Sequence, residues 1–497
     1  MYYSTCNPQT KQCNSIFLLS LTCSVALILM QIPSGVLAQG RGNLGITFKT
    51  DIPSPCTEMT MTMQADNLGR PYLYVAEKEG GLRVYDITNI EAPVLADTIP
   101  ISGLGGLHVM NLSQSGNYLY LALGNHLGTN MQSSDMAIVD VTNPGGAFLL
   151  DHWVFPGPVG GGGIVKVEGN YAYLGAMLNG LIVLDVSDKH HIQFVSQFIP
   201  DKTYPTPKPD TTKYNARGMQ VLNGVVYLCY DAGGFRIINT TDKLRPLETG
   251  RYSNPAVASR PRAYNNVVID DTLAYVAVDY CGLEVLNFAD TANVKLLSWW
   301  NPWSCDKPLV NFWFNSPGHA NEIDHDKTSK LLFIATGKSD MHVVSVANPA
   351  APDSCDNYGG VNNGLGTWGL SRFDNKIFLS YICTLGIPFA SNWTGVKILT
   401  YTPTQSGIRD VSSGEDVHVY PSLVHDGVSI TASNGFVFRD PSITVTDAIG
   451  RNTHVDVQRL GEEKLLLDFG RVSAGAYFLH IVDGDRTILK RIVKAGY

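Results

Sequence analysis

The chain has 497 residues and a formal net charge of −8, with 16% charged residues and 48 glycines. It has no long run of Lys or Arg, so the electrostatic footprint of a nucleic-acid-binding protein is missing and nucleic acid is excluded as a partner. Alternation of apolar and polar residues dominates over helical periodicity, which predicts an all-β protein with many short strands.

Residues 1–38 have the pattern of a secretory signal peptide. Lys11 precedes the largely apolar stretch 16–30, and the residues Val36, Leu37 and Ala38 resemble a cleavage site. A single transmembrane anchor is the alternative, but the apolar stretch is short for a membrane span. The sequence therefore predicts that the mature chain is exported.

Residues 43–402 repeat a pattern of about 50 residues. Each unit offers strand-like runs A to D, which is typical of the blades of a β-propeller. An aromatic residue marks the second run of every unit; these residues are Tyr74, Tyr120, Tyr173, Tyr227, Tyr275, Phe333 and Phe378.

A small polar residue ends the third run of every unit. These residues are Asp86, Asp140, Asp185, Asn239, Asn287, Ser345 and Thr400. Such side chains bond to the backbone that follows them, so turn capping explains the repetition better than metal binding or catalysis.

The last unit offers runs A to C, but a polar stretch follows Thr400 where its outer strand should lie. The run 44–50, just after the signal, belongs to no unit. We expect it to supply the missing strand, because closure removes the exposed edges that an open array would leave. The sequence thus predicts a seven-bladed β-propeller.

The hairpins YVAEKEGGLRVYDI in the first unit and YLGAMLNGLIVLDV in the third join two apolar strands through a glycine turn and end in Asp-Ile or Asp-Val. They resemble the LVIVD repeat family, and the resemblance extends over residues 44–402. It implies a β-propeller fold and no single activity, and it supplies no catalytic residue.

A polar linker, residues 403–416, precedes a new strand pattern over residues 417–497 that predicts a small C-terminal β-sandwich. Its motifs are VYP at 419–421, Asp447 with Gly450 and Arg451, GAYFLHI at 475–481 and KRIVK at 490–494. They resemble the type A C-terminal sorting domain of the type IX secretion system of Bacteroidetes. The resemblance implies the secretion machinery as a partner and a secreted or cell-surface location, with release or attachment to the outer-membrane surface.

In a propeller the D–A and B–C connections share one face, here called the loop face, and the long connections of this chain belong to it. The starts of the A runs ring the channel there and contribute His108, Arg217, Arg262, His319 and Trp368. Such a ring is predicted to hold an anionic or sugar ligand; the alternative is that these side chains plug and hydrate the channel.

The connection between the fifth and sixth units is rich in aromatic residues, which include Trp299, Trp300, Trp303 and Trp313. Aromatic faces stack on sugars and anchor protein interfaces, so this connection is a second candidate binding surface. The alternative is a hydrophobic cluster that seals the connection onto the sixth unit.

Six of the nine cysteines follow the signal, and an exported chain permits disulfides. We expect two bonds between neighbouring connections of the loop face, Cys281–Cys305 and Cys355–Cys383. The main alternative is Cys305–Cys355. Cys56 and Cys229 are predicted to be free.

Three functional hypotheses remain. The first is an exported propeller that binds a glycan or a protein through its loop face. The second is a polysaccharide lyase or hydrolase, and the third is a structural part of an envelope complex. The A runs offer few carboxylates at the channel, which favours binding over catalysis. No spacing indicates catalytic residues, a metal or a cofactor, and Asp324, His325 and Asp326 are interpreted as an A–B turn rather than a calcium loop.

Overall fold

The computed structural model describes residues 44–402, except 129, 207–209, 362 and 385–389, and residues 417–495, except 421, 422, 425, 433–436, 448–450, 484 and 485. The predicted signal peptide and the predicted linker, residues 403–416, lie outside the described residues.

Seven four-stranded antiparallel sheets form the blades of a β-propeller, as predicted. Blade 1 contains β2 (Thr60–Ala65), β3 (Tyr72–Glu77), β4 (Gly81–Asp86) and β5 (Val94–Ile99). Blade 2 contains β6 (Val109–Ser115), β7 (Tyr118–Leu123), β8 (Asp135–Asp140) and β9 (Phe148–Trp153). Blade 3 contains β10 (Ile164–Glu168), β11 (Tyr171–Gly175), β12 (Leu181–Asp185) and β13 (Gln193–Phe198). Blades 4 and 5 contain β14 (Gly218–Leu222), β15 (Val225–Cys229), β16 (Phe235–Asn239) and β17 (Leu247–Tyr252); and β18 (Tyr264–Asp270), β19 (Leu273–Val278), β20 (Leu283–Asn287) and β21 (Lys295–Trp300). Blades 6 and 7 contain β22 (Ile323–Asp326), β23 (Leu331–Ala335), β24 (Met341–Ser345) and β25 (Asp353–Tyr358); and β26 (Thr367–Phe373), β27 (Lys376–Tyr381), β28 (Thr394–Thr400) and β1 (Thr47–Ser54).

The ring closes with a strand from its N-terminal end, which confirms the closure prediction. Strand β1 pairs antiparallel with β28, from Thr47 opposite Thr400 to Ser54 opposite Thr394. The strand lies a few residues later than the predicted run 44–50, because Leu44 instead accepts a hydrogen bond from Thr402 N at 2.7 Å.

The core lies between neighbouring blades. Between blades 1 and 2, for example, Tyr74 and Val84 pack with Leu119 and Leu121. A fully buried side chain of this kind contributes roughly 1.5–3 kcal/mol, so each blade is stabilised mainly by its two neighbours.

Six of the seven repeated polar residues cap turns, as predicted, whereas Thr400 ends β28 opposite Thr47. Asp86 Oδ1 accepts a hydrogen bond from Thr88 N at 2.8 Å, and Asn239 Oδ1 accepts one from Thr241 N at 2.9 Å. The repeated glycines have a steric reason: Gly81 has a φ of 90°, and a Cβ there would lie 2.2 Å from Ile99 O.

The C-terminal region forms two further sheets. One contains β29 (Val417–Tyr420), β31 (Gly427–Ala432), β35 (Lys464–Asp468) and β34 (Asp456–Arg459); the other contains β30 (Leu423–Val424), β37 (Arg486–Lys494), β36 (Gly475–Asp483), β32 (Ser442–Asp447) and β33 (Asn452–Thr453). Val428, Leu465 and Leu479 belong to its buried core.

The helices of the described residues are short 3₁₀ segments. They are Ile101–Leu104, Pro144–Gly146, Thr211–Lys213, Pro255–Val257, Thr291–Asn293 and Trp313–Asn315. In the described part of the chain, no helix has the length and apolar character that a membrane span requires.

One predicted disulfide is present and the other is wrong. Cys281 and Cys305 are bonded, with their Cα atoms 5.2 Å apart, whereas Cys383 is bonded to Cys56 at 5.4 Å. Ring closure brings the connection that contains Cys56 beside the B–C connection of blade 7. Cys355 is free because it lies within the outer strand β25, and Cys229 is free and buried, as predicted.

Candidate functional site

The central channel has two wide ends and a narrow middle. A cavity of about 290 Å³ opens on the loop face and is called here the mouth cavity. A segment of about 30 Å³ lies below it, and a lower cavity of about 500 Å³ occupies the opposite end. Met61, Met110 and Ile382 pack together at the constriction. The narrow segment has room for only one or two waters. The two cavities are therefore separate, and each can have its own set of polar and charged side chains.

Polar and aromatic side chains from four blades line the mouth cavity. They are Arg217, Asn265, Asp279, Trp313, His319, Asn321 and Trp368. Arg217 directly precedes the inner strand of blade 4, and Asp279 directly follows the second strand of blade 5. The blades therefore deliver both residues from rigid strand ends.

Arg217 is the most unusual group of the mouth cavity. Its guanidinium lies over the Trp368 ring, 4.8 Å from the ring centroid. Among the described residues, no side chain or carbonyl accepts a hydrogen bond from this guanidinium. The half-buried cation is thus positioned by stacking and keeps its donors for another partner.

Asp279 holds two other groups of the mouth cavity in place. Its Oδ2 accepts a hydrogen bond from Trp313 Nε1 at 2.5 Å, and its Oδ1 lies 2.5 Å from His319 Nδ1. Because a carboxylate only accepts, His319 Nδ1 carries the proton. Asp279 has a φ of 24°, a conformation that a tight turn imposes.

Asp231 occupies the corresponding turn position of blade 4. Burial raises its pKa to about 6, although the charge of Arg217 and the hydrogen bond from Asn215 Nδ2 oppose this rise. Asp231 therefore changes charge near neutral pH at a point where its charge acts on Arg217.

Asn265 presents an unsatisfied acceptor. Its Nδ2 donates to Ala320 O at 2.7 Å, whereas its buried Oδ1 accepts no hydrogen bond from any residue that the structure describes. A ligand hydroxyl or a water is the kind of donor that this oxygen requires.

The structure brings together three of the five predicted ring residues, namely Arg217, His319 and Trp368. His108 does not line the mouth cavity; its Nδ1 lies 4.0 Å from Glu79. Arg262 donates instead to the carbonyls of Ala232 and Ala258, so it holds the 4–5 connection.

Of the four predicted tryptophans, only Trp313 lines the mouth cavity. Trp300 and Trp303 are 7% and 3% exposed and pack on His342, and Trp299 Nε1 donates to Cys281 O. For Trp300 and Trp303 the structure shows the hydrophobic cluster that was the alternative interpretation, whereas Trp299 packs against the core between blades 4 and 5.

Sequence reasoning missed Asp231 and Asp279 because it considered only the starts of the A strands, and it missed Asn265 because it chose Arg262 to represent the start of that strand in blade 5. A signal was present: a residue one or two positions after the B strand occupies the same turn position in several blades, where it is Lys78, Met177, Asp231, Asp279 or Gly337, and Asp279 lines the mouth cavity from that position. Each of these residues offers its carbonyl to the start of the next inner strand.

The lower cavity contains charges that compensate one another. Lys166, Glu322, Asp324 and Arg372 line it, and Arg372 Nε lies 3.4 Å from Asp324 Oδ1. Burial lowers the pKa of Lys166 and raises that of Glu322.

The A–B turn predicted at Asp324, His325 and Asp326 is wrong for the first two, which lie within β22. The turn begins at Asp326, whose Oδ1 accepts from Thr328 N. Among the residues that the structure describes, no three His, Cys, Asp or Glu side chains gather as a metal site.

Two family models match parts of the chain. The LVIVD repeat matches residues 71–99, 106–149 and 160–199, in blades 1 to 3, and the secretion system C-terminal sorting domain matches residues 418–495. No curated protein is similar to this chain in sequence.

Solved structures of similar shape include other propellers. The chain resembles the WD40 repeats of RRP9 at 12% identity and a TM-score of 0.49, over 72% of this chain and 99% of that one. It resembles the computationally designed Ika8 protein at 10% identity and a TM-score of 0.44, over 73% and 99%. It also resembles PorZ, an essential bacterial surface component of the type-IX secretion system of Porphyromonas gingivalis, at 15% identity and a TM-score of 0.41, over 88% and 66%.

The sorting domain marks the chain for export by the type IX secretion system, to the cell surface or into the medium. The chain therefore combines a β-propeller that contains LVIVD repeats in blades 1 to 3 with a C-terminal sorting domain of the type IX secretion system.

Proposed function

We propose that this exported β-propeller binds a glycan that contains an acidic sugar, and that the acidic sugar occupies the mouth cavity. The observation that carries the proposal is the Arg217 guanidinium, which stacks on Trp368 and has no acceptor among the described residues. A carboxylate is the ligand group that such an arginine suits best, because the guanidinium can donate two parallel hydrogen bonds to it.

The remaining groups of the mouth cavity suit the hydroxyls and the apolar face of a sugar. Trp313 offers an aromatic surface for stacking, and Asn265 Oδ1 needs a donor such as a hydroxyl. The cavity of about 290 Å³ is near the lower end of the roughly 300–1,000 Å³ typical of ligand sites, so it fits a single sugar residue. An acidic side chain of a protein ligand is the less favoured occupant, since the site is a narrow concavity.

Catalysis on the same sugar is a second candidate. Asp231, with a pKa raised to about 6, and the Asp279–His319 pair supply acid and base groups around the mouth cavity. The scarcity of carboxylates in the A strands therefore no longer counts against an enzyme.

The test is a glycan array that contains matched acidic and neutral glycans, followed by calorimetric titration of each positive glycan. We expect binding of acidic glycans only, and Arg217→Met should weaken it by roughly a hundredfold. Arg251→Met is the matched control, because Arg251 pairs with Asp201 at the outer edge of blade 4.

Equal binding of acidic and neutral glycans, or of wild type and Arg217→Met, would overturn the proposal. Chromatography of the bound glycan after prolonged incubation separates the two candidates: shortened or unsaturated products would indicate the enzyme, and an intact glycan indicates binding alone.

A further inference from the structure

The 5–6 connection exposes a group of apolar side chains that the tryptophan pattern does not reveal. Leu309, Val310, Phe312 and Phe314 are 96%, 67%, 46% and 58% exposed. We call the segment 307–315 the apolar finger. It belongs to the loop face, but none of these four side chains lines the mouth cavity.

The finger is held in an ordered shape while its apolar side chains stay in solvent. The Cys281–Cys305 disulfide fixes its base, and Asn311 Nδ2 donates to Ser316 Oγ at 3.2 Å across it. At its tip, Phe312 N donates to Asn315 Oδ1 at 3.0 Å, and the Phe312 and Phe314 rings stack 6.1 Å apart. A loop without a partner would gain by folding these side chains inward, so the bracing keeps them on display.

Basic side chains surround the finger. Lys307 is exposed on it, Arg260 Nη2 donates to Asn311 O at 2.5 Å, and Lys338 Nζ donates to Phe314 O at 3.3 Å. Two acids also lie near the finger: Asp306 accepts a hydrogen bond from Asn301 Nδ2 at the base, and Asp279 accepts one from Trp313 Nε1. The apolar tip is thus followed by a collar of positive charge.

We propose that the apolar finger inserts into the interface of an anionic lipid bilayer, with its basic collar at the level of the phosphates. Apolar tips with flanking lysine and arginine bind membrane surfaces through buried area and charge attraction together. A tip of four residues is far smaller than the roughly 20–30 residues that each partner contributes to a standard protein interface. The four apolar side chains that carry the inference do not line the mouth cavity, although Trp313, between Phe312 and Phe314, does.

Lipid contact through the apolar finger would be separate from any attachment through the sorting domain, because the chain leaves the propeller on the other face. The chain leaves the propeller after β28, next to Leu44, on the face opposite the finger. An exported molecule would therefore contact lipid reversibly through its loop face, whatever happens at its C-terminal end.

The test is co-sedimentation of the purified exported protein with vesicles of phosphatidylcholine alone and of phosphatidylcholine with phosphatidylglycerol at equal weights. We expect stronger binding to the anionic vesicles, weakened by added salt. The double variant Phe312→Ser/Phe314→Ser should lower the partition coefficient at least about tenfold. The matched control, Val94→Ser/Leu244→Ser, replaces residues that are 64% and 72% exposed on blades 1 and 4 and should change nothing.

A second measurement is the fluorescence of the variant Leu309→Trp. The emission of the introduced indole should shift to the blue when anionic vesicles are added. Unchanged melting temperatures establish that the variants are folded. The proposal fails if wild type binds neither vesicle at low ionic strength, if the double serine variant binds as wild type does, or if the Leu309→Trp emission does not shift. Loss of acidic-glycan binding in Arg217→Met with normal vesicle binding would keep the two sites distinct.

Discussion

The two ends of the channel use the same inner strands but treat charge differently. At the lower end, Arg372 lies near Asp324 and Asp326, donates to Tyr401 Oη at 2.7 Å and lies over the rings of Phe333 and Tyr401. At the mouth, Arg217 has a ring beneath it and no acceptor among the described residues. A buried cation with nearby carboxylates and an acceptor stabilises a fold, whereas one without an acceptor is available to a ligand.

The disulfides, like the partners of the arginines, differ between the two ends of the channel. Both disulfides of the described residues join connections of the loop face, and the lower end relies on hydrogen bonds and ion pairs. The end that we propose to bind ligand is thus the end whose loops are fixed before a ligand arrives, which lowers the ordering cost of binding.

The largest expected effect comes from the disulfide that spans the ring. In the chain-entropy account, Cys56→Ser/Cys383→Ser should lower the free energy of unfolding by about 6 kcal/mol and Cys281→Ser/Cys305→Ser by about 3 kcal/mol, because the bonds close loops of 327 and 24 residues. Urea unfolding of both double variants measures this order. The opposite order would show that local bracing of the mouth matters more than ring closure.

Arginine substitutions compare the two ends directly. Arg372→Met should cost roughly 3 kcal/mol, because it leaves Asp324 and Asp326 with a buried negative charge. Arg217→Met should cost less than about 1 kcal/mol, since no acceptor loses its donor. Equal losses in urea titrations would contradict the distinction between a structural and a ligand-binding arginine.

Glu284, in the third strand of blade 5, is a buried acid whose protonation can be tested through the pH dependence of stability. It is fully buried, accepts hydrogen bonds from Asn254 and Tyr264, and has a pKa that burial raises to about 7. Since the folded pKa lies above the unfolded one, its stabilising effect is complete below the unfolded pKa and is lost as pH rises through about 7.

We therefore expect the stability of Glu284→Gln relative to wild type to increase by roughly 3 kcal/mol between pH 4 and pH 8. Thermal unfolding across that range measures it. Parallel curves for the two proteins would show that Glu284 does not titrate in the folded state.

The smallest effect concerns binding. As pH rises through about 6, Asp231 becomes negative beside Arg217 and should weaken the binding of an acidic glycan, by up to about tenfold. Asp231→Asn should remove this dependence. Titrations between pH 5 and 7.5 measure it, and a variant that keeps the wild-type slope would assign the dependence to another group.

Local patterns predicted the blades because the alternation of apolar and polar residues, the glycine turn and the capping residue all occur within a single repeat. They also predicted closure, since the missing strand after Thr400 and the spare run near Leu44 are each visible in the sequence. The partner of Cys383 was not predictable in the same way, because it depends on which connections meet when blade 7 reaches blade 1.

The candidate site was predicted in part for the same reason. Arg217 and Trp368 come from strand starts that any propeller places at the channel, whereas Asp279 reaches the mouth through a turn with positive φ, and Asp231 occupies the same turn position in blade 4. Burial of Trp303, at 3% exposure, depends on how the long 5–6 connection folds back, which residue type alone does not determine.

The bond between Cys56 and Cys383 has a consequence for the life of the protein outside the cell. Because it joins positions separated by 327 residues, nearly the whole propeller lies inside one covalent loop. A peptidase that cuts any single connection between these cysteines produces a nicked molecule, not two fragments. The blades on either side of the nick stay in register, so the exported ring should remain assembled until a reductant or a second cut releases it.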